Sequence, residues 1–317
     1  MTETGMTGKV LVTGAAGFIG RATVHALSEA GWQVRAATRD PSKIEASERV
    51  EPVAMGDLGD EIDWAPLLDG VSHVVHLAGL AHAPGVLDEE TYMRINAAPV
   101  GKLADAAKGR VERIVFISTT RTQAGLSIDE PVNEALSPQP TDSYGRSKLE
   151  GERLLIESGV PYTILRPTVI YGPHMKGNLA SLATMAKTPM PLPFQALTNK
   201  RSLLGLDSLV SAILLTLTSE AALNETFVVA DTEPVTVGEM IAAIRAGLGR
   251  KPNLVSIPEG ALRRVLHSFG RGGDWDRISG NFVVDSAKLR GIGWEPATSS
   301  TEGIEAAIRT EGALTTL

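Results

Sequence analysis

Short apolar runs rich in β-branched residues recur through the first two thirds of the chain, and longer stretches with helical spacing of apolar positions separate them. Lys9–Thr13 is the first run and leads through a glycine-bearing turn into a helical pattern that ends near Gly31. Gln33–Thr38 is the second, a third short strand precedes Met55, and Val71–Leu77, Glu112–Ile117 and Val160–Leu165 are the fourth, fifth and sixth. Continuous apolar character of this kind is expected for strands in a sheet covered on both faces. Long helices are expected over Leu87–Lys108 and Ser143–Glu157.

Beyond Arg166 the pattern changes. Thr188–Pro193 (TPMPLP) is too broken by proline for a helix. Thr226–Val229 reads as a strand returning to the main sheet, while Thr236–Leu248 and Thr301–Arg309 read as amphipathic helices of a smaller unit. The expected division is residues 1–166 as one domain, with 202–230 returning to it, and 167–201 plus 231–317 as a second, discontinuous domain.

Composition narrows the chemistry. Thirty-seven acidic against 30 basic side chains give a net charge of −7, which argues against a nucleic-acid backbone as main partner. Cysteine is absent, so disulfides and Cys-based metal or redox sites are excluded. Residues 1–9 lack a basic region followed by an apolar core, and no stretch has the apolar length of a membrane span; a cytoplasmic protein is expected. His73 and His76, three apart on a strand, point to opposite faces, so no metal site is expected.

Two constellations stand out. Gly14, Gly17 and Gly20 lie between the first strand and its helix, where glycines permit a tight turn and let backbone N–H groups approach a pyrophosphate at a helix N-terminus. Tyr144 and Lys148, four residues apart on a helix, share a face, and an ammonium beside a phenol should draw the phenol's pKa towards neutrality.

Thr13-Gly-Ala-Ala-Gly-Phe-Ile-Gly20 together with Tyr144-x-x-x-Lys148 resembles the extended short-chain dehydrogenase/reductase family, in its nucleotide-sugar epimerase and 4-keto-sugar reductase branch. The resemblance covers nearly the whole chain. It implies an α/β fold, a doubly wound parallel sheet (Rossmann) with a smaller, discontinuous C-terminal α/β substrate domain. It implies cofactor contacts from Gly14, Ala16, Gly17, Phe18, Ile19 and Gly20, from Asp57 and Leu58, from Leu77, Ala78 and Gly79, and from Ser118. Its catalytic set falls on Thr119 (with Thr120 as alternate), Tyr144 and Lys148, with Asn96 supporting the lysine. Asn178 and Arg201 match residues that contact a UDP-sugar diphosphate, and Arg271 or Arg277 would make a second phosphate contact.

Thr38 stands where NAD users of the family carry aspartate, and Arg39 follows it; an arginine there suits a 2′-phosphate. NADP(H) is therefore favoured, with NAD(H) the alternative. The expected activity is a UDP-4-keto-hexose reductase of N-acetylhexosamine type. The alternatives are a UDP-hexose 4-epimerase and, more remotely, a non-catalytic dinucleotide sensor. A homodimer through the two long helices is implied by the same resemblance.

Overall fold

The computed structural model describes residues 8–81, 87–175, 177–268, 275 and 278–314. Its main sheet has seven parallel strands in the order β3-β2-β1-β4-β5-β6-β9. These are β1 (Lys9–Thr13), β2 (Gln33–Thr38), β3 (Val50–Ala54), β4 (His73–His76), β5 (Arg113–Ile117), β6 (Tyr162–Pro167) and β9 (Glu225–Val229). A separate parallel pair joins β7 (Val169–Tyr171) to β8 (Leu203–Gly205).

The two-residue period of the strands divides the core. Val10, Val12, Val115 and Ile117 face one side, where they pack with Leu27, Leu209, Ile213 and Trp294. Leu11, Ile114 and Phe116 face the other, with Trp64, Leu103 and Leu155. Helices α1 (Phe18–Glu29) and α7 (Leu206–Thr218) cover the first face. Helices α2 (Trp64–Leu67), α4 (Ala98–Ala107) and α5 (Ser143–Ser158) cover the second. His73 packs edge-on against Trp32 of the first cluster and His76 edge-on against Trp64 of the second, so the two histidines do face opposite ways.

The helix expected over 87–108 runs from Glu89 to Ala107 and carries a π-turn inside it. It begins as α3 (Glu89–Tyr92), capped by Asp88, passes through a π-turn at Met93–Ala97, and resumes as α4. Pro99 explains the π-turn, because it offers no N–H to the carbonyl of Ile95 and its ring crowds that carbonyl.

A third core, built by Met175, Leu179, Phe194, Leu203, Ile241 and Ile304, lies under α6 (Gly177–Ala186), α8 (Val237–Gly247) and the closing helix Ser300–Leu314. The helix α9 (Glu259–Ser268) precedes the residues left undescribed around 270. Asp231, directly after β9, ties this unit to the rest: Tyr171 and Ser300 donate their hydroxyls to Oδ2 at 2.8 and 3.0 Å, and the Gly205 N–H donates to Oδ1 at 3.1 Å. Among the described residues no helix is long and apolar enough to cross a membrane.

Candidate active site

The turn after β1 is shaped by its glycines. Gly14 has φ of +70°, and a β-carbon there would sit 2.9 Å from the Ala78 nitrogen on the neighbouring strand's exit. A methyl on Gly20 would overlap the Gly14 carbonyl, so α1 can lie this close to the turn only with glycine. Helix α1 begins after Gly17 without a side-chain cap, which leaves its first N–H groups open to an anion. Phe18 and Ile19 turn into the cores, and the Ala16 carbonyl accepts from Arg21. The residues therefore fit a bound pyrophosphate.

At the exit of β4, the Ala78 N–H donates to Thr13 Oγ1 at 3.2 Å, and the same hydroxyl lies 2.9 Å from His76 Nδ1. Burial holds the His76 imidazole down at about 3, with the Lys148 charge adding to the effect, so His76 is neutral at physiological pH. Leu77 packs on the first core and Leu58 on the second. Gly79 faces the space next to Asn96 and Lys148, since a β-carbon on it would lie 3.1 Å from Asn96 Oδ1 and 4.0 Å from Lys148 Nζ.

Arg39 and Asp57 meet each other: Nη1 donates to Oδ2 at 3.0 Å, and the Gly59 N–H holds the other carboxylate oxygen at 2.9 Å. The Gly59 bond first and the guanidinium second hold the Asp57 carboxyl below the usual range. Asp40 caps the short turn Pro41–Lys43, its carboxylate accepting from the Ser42 N–H at 3.2 Å and hydroxyl at 2.6 Å.

Thr119, Tyr144 and Lys148 converge at the carboxyl edge of the sheet. The Thr119 hydroxyl lies near enough to the phenol of Tyr144 to lower its pKa, whereas Thr120 turns away towards the Pro167 carbonyl at 3.4 Å. The Tyr92 ring lies 6.3 Å from that of Tyr144. Asn96 sits in the π-turn, donates to the Leu80 carbonyl and to Ser147 Oγ, both at 3.1 Å, and accepts from the Leu80 N–H at 2.7 Å. The π-turn thus fastens the loop after β4 to α5 beside the lysine.

The electrostatics differ from the sequence expectation. Burial pushes the Tyr144 phenol up to about 12, and the downward pull of Thr119 is the smaller effect. Lys148 is itself pulled down to about 7 by burial, against the pull of Glu152. Its ammonium rests 4.0 Å above the Phe116 ring. A buried lysine near half charge is a weak source of phenolate stabilisation, so the lowering expected from spacing alone is not what these side chains produce.

Ser118 is held by a buried ion pair. Its hydroxyl donates to Glu152, whose carboxylate takes the fork of Arg166 at 3.0 and 2.6 Å. Sequence reading overlooked Glu152, although its place one turn beyond Lys148 on the same helix face was available as a signal.

In the substrate half, Arg201 donates to the carbonyls of Gly280 and Leu126 at 2.8 and 2.9 Å, and lies over the Phe282 ring. Burial lowers its pKa, and the charge of Arg121 adds to this. Two of its five N–H groups are thus committed to backbone carbonyls. Asn178 is exposed on the first turn of α6. Arg271 and Arg277 lie outside the described residues. No group of three His, Cys, Asp or Glu side chains that could hold a metal occurs among the described residues.

Comparison with known proteins gives a consistent outcome. The model of the NAD dependent epimerase/dehydratase family matches residues 10–230. A UDP-glucose 4-epimerase of Vibrio cholerae is 30% identical over 308 residues, covering 93% of each chain. A ceramide reductase of Caulobacter vibrioides is 29% identical over 254 residues, covering 80% of this chain and 74% of its own. Among solved structures, MoeE5 in complex with UDP-glucose and NAD superposes with a TM-score of 0.76 at 24% identity, covering 98% of this chain and all of its own.

Proposed function

The chain belongs to the NAD dependent epimerase/dehydratase family, and from that premise we propose that it is a UDP-sugar 4-epimerase working with NAD. The observation that supports the reading is that Thr119 at the end of β5 and Tyr144 on the first turn of α5 lie close together, while Gly79, beside Lys148, follows the strand exit against which the Gly14 turn and the uncapped start of α1 pack. The sequence alone favoured a 4-keto reductase; the similarity to a 4-epimerase along nearly the whole chain brings the epimerase forward.

The dinucleotide would lie along Gly14–Gly20, Asp57–Leu58 and Leu77–Gly79, and the nicotinamide ring would supply hydride acceptance and return at C4 of the hexose. Tyr144 in its phenolate form takes the proton of the sugar 4-hydroxyl and returns it when the opposite face is reduced. Thr119 bonds the same oxygen and keeps it against the phenol. Lys148 lies in the cavity beside Gly79 and Asn96 and favours an anionic phenol whenever it is protonated. Arg201 and Asn178 would hold the diphosphate, so that the sugar alone turns between the two hydride steps.

Arg39 supports a second reading. A guanidinium at the end of β2 suits a 2′-phosphate, and a reductase drawing on NADPH would use it. Against this, Arg39 is paired with Asp57, whose carboxylate would face an incoming phosphate. Mass and absorbance analysis of the nucleotide that co-purifies with the protein separates the two. Retained NAD with indifference to NADPH supports the epimerase; an empty site with strong preference for NADPH over NADH supports the reductase.

A further inference from the structure

Thr119 and Tyr144 reach the same point from different elements, one from the turn that closes β5 and the other from the opening turn of α5. An ion pair joins the two elements. Arg121, in the single helical turn Thr120–Thr122, sends its guanidinium to the Asp142 carboxylate. Asp142 is the N-cap of α5, and its other oxygen accepts the Gly145 N–H at 2.7 Å. The backbone N–H of Arg121 donates to Thr119 Oγ1 at 3.2 Å. The links from Thr119 through Arg121 and Asp142 to Gly145 thus enclose the base of Tyr144. The packing there is close: a β-carbon on Gly145 would run into the Arg121 carbonyl.

We propose that the Arg121–Asp142 pair is the positioning device of this active site, which holds the hydroxyl of Thr119 beside the phenol of Tyr144 and keeps a balanced charge next to it. The inference rests on the epimerase reading only for its kinetic readout.

The charge balance follows from what surrounds the phenol. Arg121 lowers the Tyr144 pKa, while Asp142 and, from α3, Tyr92 raise it. Lys148 lies one turn further along α5, and Glu152 beyond it is neutralised by Arg166. Arg146 of α5 is occupied by Glu89 of α3. Arg201, across the cleft, feels the charge of Arg121. The Arg121 and Asp142 side chains are 23% and 38% exposed, so solvent screens each charge in part.

The test uses Arg121→Ala, Asp142→Asn and the double variant; asparagine keeps the cap acceptor of α5. The phenolate is titrated by near-ultraviolet absorbance, each variant measured against the same variant carrying Tyr144→Phe, because the chain has four tyrosines. Asp142→Asn leaves an unopposed guanidinium and should lower the Tyr144 midpoint by about half to one unit. Arg121→Ala should raise it, and the double variant should return it to the wild-type value. The pH profile of kcat should move in the same directions, with kcat lower in both single variants. Midpoints that stay fixed while kcat falls equally at every pH would overturn the proposal, leaving the pair a fold contact only. If the wild type turns over no UDP-sugar, the epimerase reading fails while the titration still decides the role of the pair.

Discussion

Arg166 and Glu152 meet fork to fork inside the protein, Nε to Oε1 at 3.0 Å and Nη2 to Oε2 at 2.6 Å, with side-chain exposures of 9% and 2%. The pair joins β6 to α5 one turn beyond Lys148, and Ser118 supplies a further donor from the end of β5. Three elements that carry the active site are thereby held at one buried point.

Removing one member strands the other without a counter-charge. Glu152→Ala or Arg166→Ala should each cost about 3–5 kcal/mol, read from the denaturant midpoint at constant slope. Replacing both with apolar residues of similar volume should cost much less, because no unpaired charge remains.

Lys148 makes an opposite prediction. Its folded pKa of about 7 lies below the ordinary lysine value of 10.5, so between these two values the unfolded chain binds more protons. Stability contributed through this group therefore rises as pH increases from about 7 to 10.5 and is lowest below 7. Lys148→Met should stabilise the fold by roughly 2–4 kcal/mol near neutral pH, less above pH 10, while abolishing turnover. Thermal unfolding across that pH range checks it; a destabilised variant at neutral pH would contradict the burial account.

Tyr144→Phe removes one hydroxyl and leaves the ring against Tyr92. The circular dichroism spectrum and melting temperature should be nearly unchanged, while kcat falls by about a hundredfold or more. Turnover at the wild-type rate would remove the phenol from the mechanism.

Much of the site is legible in the sequence because glycine spacing and the Tyr-Lys interval are local. The glycines fix backbone geometry within seven residues, and four residues on a helix must share a face. What escapes is tertiary. The Arg39–Asp57 contact spans two strand ends, and the depressed Lys148 pKa depends on how deeply the sheet buries it. The choice of Thr119 over Thr120 as the phenol's neighbour depends on the turn after β5, in which Thr119 caps and Thr120 points to Pro167. The π-turn in the first long helix could have been read from Pro99 alone.

Arg39 gives a direct cofactor test. Its side chain is 75% exposed and bound to Asp57. With NAD as cofactor, Arg39→Ala should change NAD affinity by no more than about fivefold, the range of an exposed ion pair. A loss of NADP affinity far greater than that of NAD, from a wild type that prefers NADP, would instead identify Arg39 as a 2′-phosphate ligand.

The most direct measurement of the central claim is to incubate the protein with UDP-glucose or UDP-N-acetylglucosamine and NAD, and to follow the sugar by proton NMR while recording nicotinamide absorbance. The account predicts that the C4 epimer accumulates to equilibrium with no net change in NADH. Absence of the epimer, together with stoichiometric NADPH oxidation on a UDP-4-keto sugar, would contradict it.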